Sequence, residues 1–232
     1  MPSCPKCSDV GWVTKLAKVG DPDFGQAFPC ECQNGTAALH GRLVKYANLP
    51  HADAPRTFEN FQLLQGTEHA LATTIAFAHG KAHEHILTLV GRNGCGKSHL
   101  LEAMARSLLA DNIAVKYAYS PQLLDELRSS YDPSAEVSYE RVLGRYTNAE
   151  VLILDDLGAE RITPWAVEKL EMLVDERYRN GKRLAVATNH SMEGLADKLG
   201  PRIADRLFDL YSGSSLVVNM TALSYRTGKV WQ

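Results

Sequence analysis

Ile86-Leu87-Thr88-Leu89-Val90-Gly91-Arg92-Asn93-Gly94-Cys95-Gly96-Lys97-Ser98-His99-Leu100 is the stretch on which the fold turns. Its first five residues form a short apolar, β-branched run of the kind buried on both faces of a parallel sheet. Gly91 to Ser98 then follow the glycine, lysine and hydroxyl spacing of a phosphate loop. Glycines let the backbone curl until several N–H groups face one point, and a helix starting near Ser98 adds the positive end of its dipole there. Lys97 is placed to set its ammonium against the β- and γ-phosphates of a nucleoside triphosphate, and the Ser98 hydroxyl to ligate magnesium. The candidate nucleotide contacts are Gly91, Asn93, Gly94, Cys95, Gly96, Lys97, Ser98 and His99.

Working outward, residues from Glu68 to Lys81 suit a helix leading into this strand. Downstream, Val151-Leu152-Ile153-Leu154-Asp155-Asp156 reads as a second buried strand ending in two carboxylates. A parallel sheet brings the ends of such strands to one edge, beside the phosphate loop. Asp155 is the candidate to hold magnesium through its water shell, and Asp156 to orient or deprotonate the water that attacks the γ-phosphate. Thr163-Pro164 opens a helix and Asn180-Gly181 closes it, with Val167, Leu170, Leu173, Val174 and Tyr178 along one face as core. Arg183 to Asn189 is a third buried strand, whose last residue, Asn189, can reach the γ-phosphate or the attacking water. Beyond it, Arg202 and Arg206 stand four apart on one face of a short helix. Arginine's fixed fork suits phosphate, and Arg206 is the candidate to complete a neighbouring subunit's site; surface pairing with Asp205 or Asp209 is the alternative.

The other end of the chain carries different chemistry. Four of the five cysteines lie in the first 32 residues, as Cys4-x-x-Cys7 and Cys30-x-Cys32. Each pair can offer two thiolates from one tight turn, and two facing turns make the closed tetrahedral sulfur site that zinc prefers. His40 or His51 is an alternative fourth ligand. The stretch between the pairs is too small to bury a core, so a metal would supply much of its folding free energy. From about Gln33 to Phe61 the chain reads as a linker containing an amphipathic stretch (Leu39, Leu43, Tyr46), which divides it into a zinc-binding module and linker at 1–50 and a main domain at 51–232. At 232 residues, 45% hydrophobic and 22% charged, the chain has the size and composition of one globular core with an appendage. No apolar run reaches the roughly 20 residues of a membrane span, and the first residues lack a secretory h-region, so a cytoplasmic protein is expected. A net charge of −2 provides no global basic field, so any nucleic-acid contact must come from a local patch or from several subunits together.

Gly91 to Ser98, Asp155-Asp156, Thr188-Asn189, the Arg202/Arg206 segment and Ser224-Tyr225-Arg226 together resemble the AAA+ helicase loaders of bacteria and their phages, the DnaC/DnaI family. The likeness covers roughly residues 55 to 232, and the segment with Cys4, Cys7, Cys30 and Cys32 looks like the zinc-binding front end of some phage and Gram-positive members. The resemblance implies an α/β P-loop NTPase of AAA+ type: a parallel five-stranded sheet with flanking helices, strand order 5-1-4-3-2, no helical lid domain, and a small zinc-ribbon-like N-terminal module. It implies ATP or ADP with magnesium as ligands, Asn189 as sensor 1, Arg206 as an arginine finger acting in trans with Arg202 beside it, and Arg226 as a sensor 2 arginine. It also implies an ATP-dependent spiral or hexamer, single-stranded DNA, and a DnaB-type replicative hexameric helicase contacted through the zinc module. Most AAA+ members carry Glu where Asp156 stands, which implies slow unassisted hydrolysis and a timed switch. The clade inserts a helix after its second strand, and here Lys116, Arg128 and Arg141 are candidates for DNA phosphates and Tyr131 for stacking on a base.

The runner-up is an IstB-like transposition helper, which shares the ATPase core and binds duplex DNA; the cysteine-rich front end favours the loader. A small-molecule phosphotransferase would carry an arginine-rich lid after the Asp155-Asp156 strand, and no such sequence follows. An inert zinc-mediated adaptor that binds ATP without turnover is a fourth possibility.

Overall fold

The computed structural model describes residues 3–15, 17–50, 53–132 and 134–227, and the chain divides into two compact units, Met1–Tyr46 and Ala47–Gln232. In the first, β1 (Trp12–Thr14) and β2 (Ala27–Pro29) pair antiparallel with Trp12 opposite Pro29. The turns before β1 and after β2 carry the two cysteine pairs, held together by the Cys30 amide donating to the Gly11 carbonyl at 2.9 Å. Helix α1 (Gln33–Ala47) follows. Most of the segment expected to be a linker is therefore helical at its start: Leu39 and Leu43 recur at helical spacing, and α1 closes with Lys45 in its last turn, where a cation suits the helix dipole.

The second unit is built on a five-stranded, all-parallel sheet of β3 (Ile86–Gly91), β4 (Val115–Tyr119), β5 (Val151–Leu157), β6 (Arg183–Thr188) and β7 (Ser215–Met220), in the order β4-β5-β6-β3-β7. Numbered from the phosphate-loop strand and read from the β7 edge, this is the 5-1-4-3-2 order expected. Helices α2 (Glu68–Ala78), α3 (Lys97–Ala110), α4 (Ser120–Ser129), α5 (Tyr139–Thr147), α6 (Pro164–Arg179), α7 (Met192–Leu199) and α8 (Pro201–Leu207) flank it. Covering both faces explains why the strands read as continuous apolar runs: Ile86, Leu87, Leu89, and Val151 through Leu154 are all fully buried.

Helix α6 begins and ends where its caps dictate. The Thr163 hydroxyl accepts from the Ala166 amide at 3.2 Å, Pro164 takes the first turn where no N–H is needed, and Asn180 closes the helix. Its inner face holds Leu170, Leu173 and Val174 as expected, together with a fully buried Arg177. Arg177 donates to the carbonyls of Ala149, Tyr146 and Arg183 (3.3 Å and 3.1 Å for the last two), tying the approach to β5 to the start of β6. Among the described residues no helix is long and apolar enough to cross a membrane.

One expectation fails here. Lys116, a candidate DNA contact, is a strand residue only 6% exposed, with its ammonium 5.5 Å from the centre of the Tyr146 ring. Strand β4 is covered on one face by α3 and on the other by α4, so neither direction of its side-chain alternation reaches solvent at this position. Arg128, Arg141 and Tyr131 are exposed.

Candidate nucleotide-binding site

The parallel sheet delivers the ends of β3, β5 and β6 to one edge, and the candidate residues meet there around a cleft of about 380 Å³. The loop between β3 and α3 depends on Gly94 and Gly96, which adopt φ of 82° and 101°. A Cβ at Gly94 would also lie 2.3 Å from the Ser224 hydroxyl, and one at Gly96 3.0 Å from the Phe61 ring, so both close approach and handedness exclude other residues. Cys95 is buried behind the loop, with its sulfur 4.0 Å from the Lys97 ammonium.

Lys97 donates to the carbonyls of Gly91 at 2.7 Å and Arg92 at 3.0 Å, and to Asn189 Oδ1 at 2.7 Å. Burial pulls its pKa below the usual lysine range, and the Asp156 and Asp155 carboxylates act against that pull. Asn189 Nδ2 donates in turn to Asp156 Oδ1 at 2.8 Å, so one amide spans the loop lysine and the second carboxylate. Asp155 Oδ1 accepts from the Ser98 hydroxyl at 3.0 Å, and its Oδ2 from the Tyr117 hydroxyl at 2.7 Å. Burial pushes the Asp155 carboxyl up, and these two donors counter the push. Burial and the Asp155 charge hold the Tyr117 phenol far above its ordinary range, so it stays a donor. Asp156 has φ of 57°, and its Oδ2 faces the Tyr119 hydroxyl at 3.4 Å. A hydroxyl and a carboxylate oxygen side by side on the cleft wall are the hard-oxygen donors magnesium takes, so Ser98 and Asp155 fit that ion.

The cleft lining also includes aromatic rings. Phe61, itself buried, lies 5.8 Å from the Tyr225 ring and edge-on to His99 at 5.1 Å. His99 lines the cleft, but its Nε2 is occupied by the Thr57 carbonyl at 2.9 Å and Asn60 Oδ1 at 3.0 Å. Arg226 lines the same cleft from the turn after β7, with its amide bonded to the Ser224 hydroxyl.

A family model described as IstB-like ATP binding protein matches residues 36–231. The chain belongs to this family. Among curated relatives of this IstB-like chain, the replicative helicase loader DnaC of Escherichia coli strain K12 is 27% identical over 180 residues, which are 75% of this chain and 71% of that one. DnaC of Buchnera aphidicola (Baizongia pistaciae) is 24% identical over 173 residues, covering 73% of this chain and 69% of that one. A solved DnaC helicase loader matches with TM-score 0.60 at 24% identity, over 76% of this chain and 99% of that one. Replication initiator DnaA bound to AMPPCP and single-stranded DNA matches with TM-score 0.62 at 18% identity, over 71% of this chain and 49% of that one. These structural likenesses establish a shared fold.

In this IstB-like chain Arg202 and Arg206 lie outside the cleft, on α8. Arg206 pairs with Asp175 of α6, donates to the Arg202 carbonyl at 3.1 Å and stands 5.6 Å from the centre of the Tyr178 ring. Arg202 pairs with Glu171 at 2.9 Å and is largely exposed. The partners are thus acids of the neighbouring helix, not Asp205 or Asp209, because α8 packs its arginine face against α6.

The cysteine pairs converge. The sulfurs of Cys4, Cys7, Cys30 and Cys32 lie within 4.8 Å of one another, with Cys4 to Cys30 at 3.8 Å and Cys7 to Cys32 at 3.5 Å. Tetrahedral coordination at a zinc–sulfur distance of roughly 2.3 Å requires sulfurs about 3.8 Å apart, so the four residues fit the ion. Amides of Cys7 and Lys6 donate to the Cys4 sulfur and lower its pKa to about 7, whereas burial pushes the Cys7 thiol up to about 11. His40 is exposed on α1 and outside this cluster; His51 lies outside the described residues.

Sequence reasoning missed Tyr117, Tyr119 and Phe61. A signal for the tyrosines existed: Tyr117-Ala118-Tyr119 puts two hydroxyls on one face at the end of the strand beside β5, with Tyr119 opposite Asp155.

Proposed function

We propose that this chain is an ATP-dependent loader that binds ATP with magnesium, assembles with further copies on single-stranded DNA, and delivers a ring-shaped replicative helicase. The observation that carries the reading is the division of the site. Lys97, Ser98, Asp155, Asp156 and Asn189 meet in one cleft, while Arg206 is held outside it on α8. Family membership supports ATP binding, and kinship with DnaC, named a replicative helicase loader, supports the helicase as partner.

In this reading the loop amides and Lys97 bind the β- and γ-phosphates, and Phe61 and Tyr225 flank the base. Ser98 and Asp155 would hold magnesium, which when bound would supply positive charge to the phosphates. Asp156, aimed by Asn189 and set back by one methylene relative to a glutamate, positions the attacking water, so unassisted turnover is slow. Arg206 of an adjacent copy supplies the missing positive charge. Lys97→Ala is expected to lower turnover by roughly two to three orders of magnitude, as removal of a phosphate-charge donor does, and to weaken nucleotide binding. Equilibrium binding of a fluorescent ATP analogue and phosphate release check both.

A partly exposed cluster supports single-stranded DNA as the track. Tyr131, half exposed, stacks on Tyr139 with rings 4.4 Å apart and meets the edge of Trp165 at 6.2 Å. Arg128 lies 5.1 Å from the Trp165 ring centre and Lys169 5.8 Å from that of Tyr139. Flat aromatic surface beside cations is the chemistry that takes an unpaired base and its phosphate. Tyr131→Ala is expected to weaken binding of a short oligothymidylate by ~1–3 kcal/mol, measured by fluorescence anisotropy. A loss below twofold would remove the cluster from the reading.

The family model's IstB-like description favours a second reading, a transposition helper acting on duplex DNA. Competition between single-stranded and duplex oligonucleotides separates the two, since preference for duplex supports the helper. The deciding experiment mixes the full chain with a hexameric replicative helicase and looks for a complex by native mass spectrometry. A complex with ATP that is lost without it is expected; no complex in either condition rejects the loader.

A further inference from the structure

We propose that Tyr117 is a positioning residue that makes Asp155 a one-oxygen ligand and thereby tunes the cleft to magnesium over calcium. The inference rests on the ATP–magnesium reading of the cleft and concerns how its divalent ion is selected.

Asp155 has two carboxylate oxygens with different surroundings. Oδ2 is taken from the protein interior by the Tyr117 hydroxyl at 2.7 Å, and Tyr117 is itself 5% exposed. Oδ1 accepts from Ser98 at 3.0 Å and is the oxygen beside the cleft's other oxygen donor. The main chain is fixed as well: the buried Ser120 hydroxyl donates to the Asp155 carbonyl at 3.2 Å, and β4 pairs with β5 up to Tyr119 opposite Asp155. Rotating the carboxylate to present both oxygens to the cleft would break the Tyr117 bond and leave a buried phenol without its acceptor, an arrangement proteins avoid.

The two ions differ in what they ask of a carboxylate. Magnesium keeps several waters in a tight octahedron, and a single carboxylate oxygen that binds it directly or accepts from one of its waters satisfies it. Calcium is larger, takes 6–8 oxygens and is commonly held by both oxygens of one carboxylate. A carboxylate pinned by its second oxygen therefore serves magnesium fully and calcium poorly. Its tyrosine donor also withdraws charge from the carboxylate, further weakening an ion that sheds its water in favour of ligand charge.

The test is binding of a fluorescent, non-hydrolysable ATP analogue to the full chain, titrated separately with magnesium and calcium. The unaltered protein is expected to reach half-saturation at a several-fold lower magnesium than calcium concentration. Tyr117→Phe, which removes only the hydroxyl, is expected to lower the calcium midpoint more than the magnesium midpoint and so bring that several-fold ratio close to one. A merely structural role would lower thermal stability without moving that ratio. Equal midpoints in the unaltered protein overturn the inference whether or not the variant folds. So does an unchanged ratio in a folded Tyr117→Phe protein that still binds nucleotide, and that result leaves the ATP reading intact. Failure of the unaltered protein to bind nucleotide with either ion overturns both.

Discussion

We propose that Cys4, Cys7, Cys30 and Cys32 hold a zinc ion, and its removal is expected to unfold the Met1–Tyr46 unit and leave the sheet-containing unit folded. The first unit has two three-residue strands and one helix, and its buried side chains are few beyond Cys7 and Cys30 themselves. An assembly of that size does not bury enough apolar surface to offset its chain entropy. Coordination by four thiolates supplies about 10–16 kcal/mol in comparable small zinc modules at neutral pH, more than the whole stability of many domains. A strong chelator, or Cys7→Ser with Cys30→Ser, should release one zinc per chain by atomic absorption. It should also expose the 3–46 segment to limited proteolysis and change the signal of Trp12, which stacks beneath Arg42 at 4.6 Å. Nucleotide binding should persist. Zinc-stripped protein that keeps its protease resistance in this segment would show that the metal is not its scaffold. The same stripped protein mixed with a helicase asks whether the module is the contact.

Arg206→Ala is expected to lower turnover of the assembled protein by about 10³–10⁵, the range measured for arginine fingers, while a single subunit's affinity for ATP stays within about twofold. The asymmetry follows from position, since Arg206 lies outside its own cleft and held by Asp175. Its Nε has no hydrogen-bond partner among the described residues although it is buried, so the fork is incompletely used by the subunit that owns it. Arg202, with its side chain 73% exposed and paired to Glu171, should matter less than tenfold as a peripheral charge. Mixing gives the sharper result: an Arg206→Ala subunit retains a whole nucleotide cleft, and a Lys97→Ala subunit retains the arginine. Each alone should be nearly inactive and the mixture should regain phosphate release. Inactivity of the mixture, with both variants shown to co-assemble, would place Arg206 outside the chemistry.

What could be read beforehand was whatever local chemistry dictates. The run Ile86 to Val90, the glycine-paced loop, the strand ending at Asp155-Asp156 and the caps of α6 are each complete within a dozen residues, so these elements and most cleft residues followed from them, whereas the strand order came from the resemblance to the AAA+ loaders. What escaped depends on neighbours distant in sequence. Arg177 looks like a surface residue of an amphipathic helix until the Ala149 and Arg183 carbonyls are brought to it. Lys116 looks exposed until α3 and α4 cover both faces of its strand. Tyr117 gains meaning only when β5 slides in beside β4, 34 or more residues later in the chain. The helix α1 was legible only as an amphipathic stretch within a linker, because two glycines within it, Gly35 and Gly41, weaken the helical signal.

The sheet order has a consequence for synthesis. Strand β3, which carries the phosphate loop, finds its two partners only in β6 and β7, whose residues emerge about 100 and 130 positions later. At 5–20 residues per second, β3 spends several seconds or more on the ribosome with both edges unpaired and its apolar residues uncovered. The nucleotide cleft is thus among the last parts of the molecule to be assembled, and nascent chains halted before Arg183 should be ready clients for chaperones, carrying a complete phosphate-loop motif on a strand that has neither of its partners.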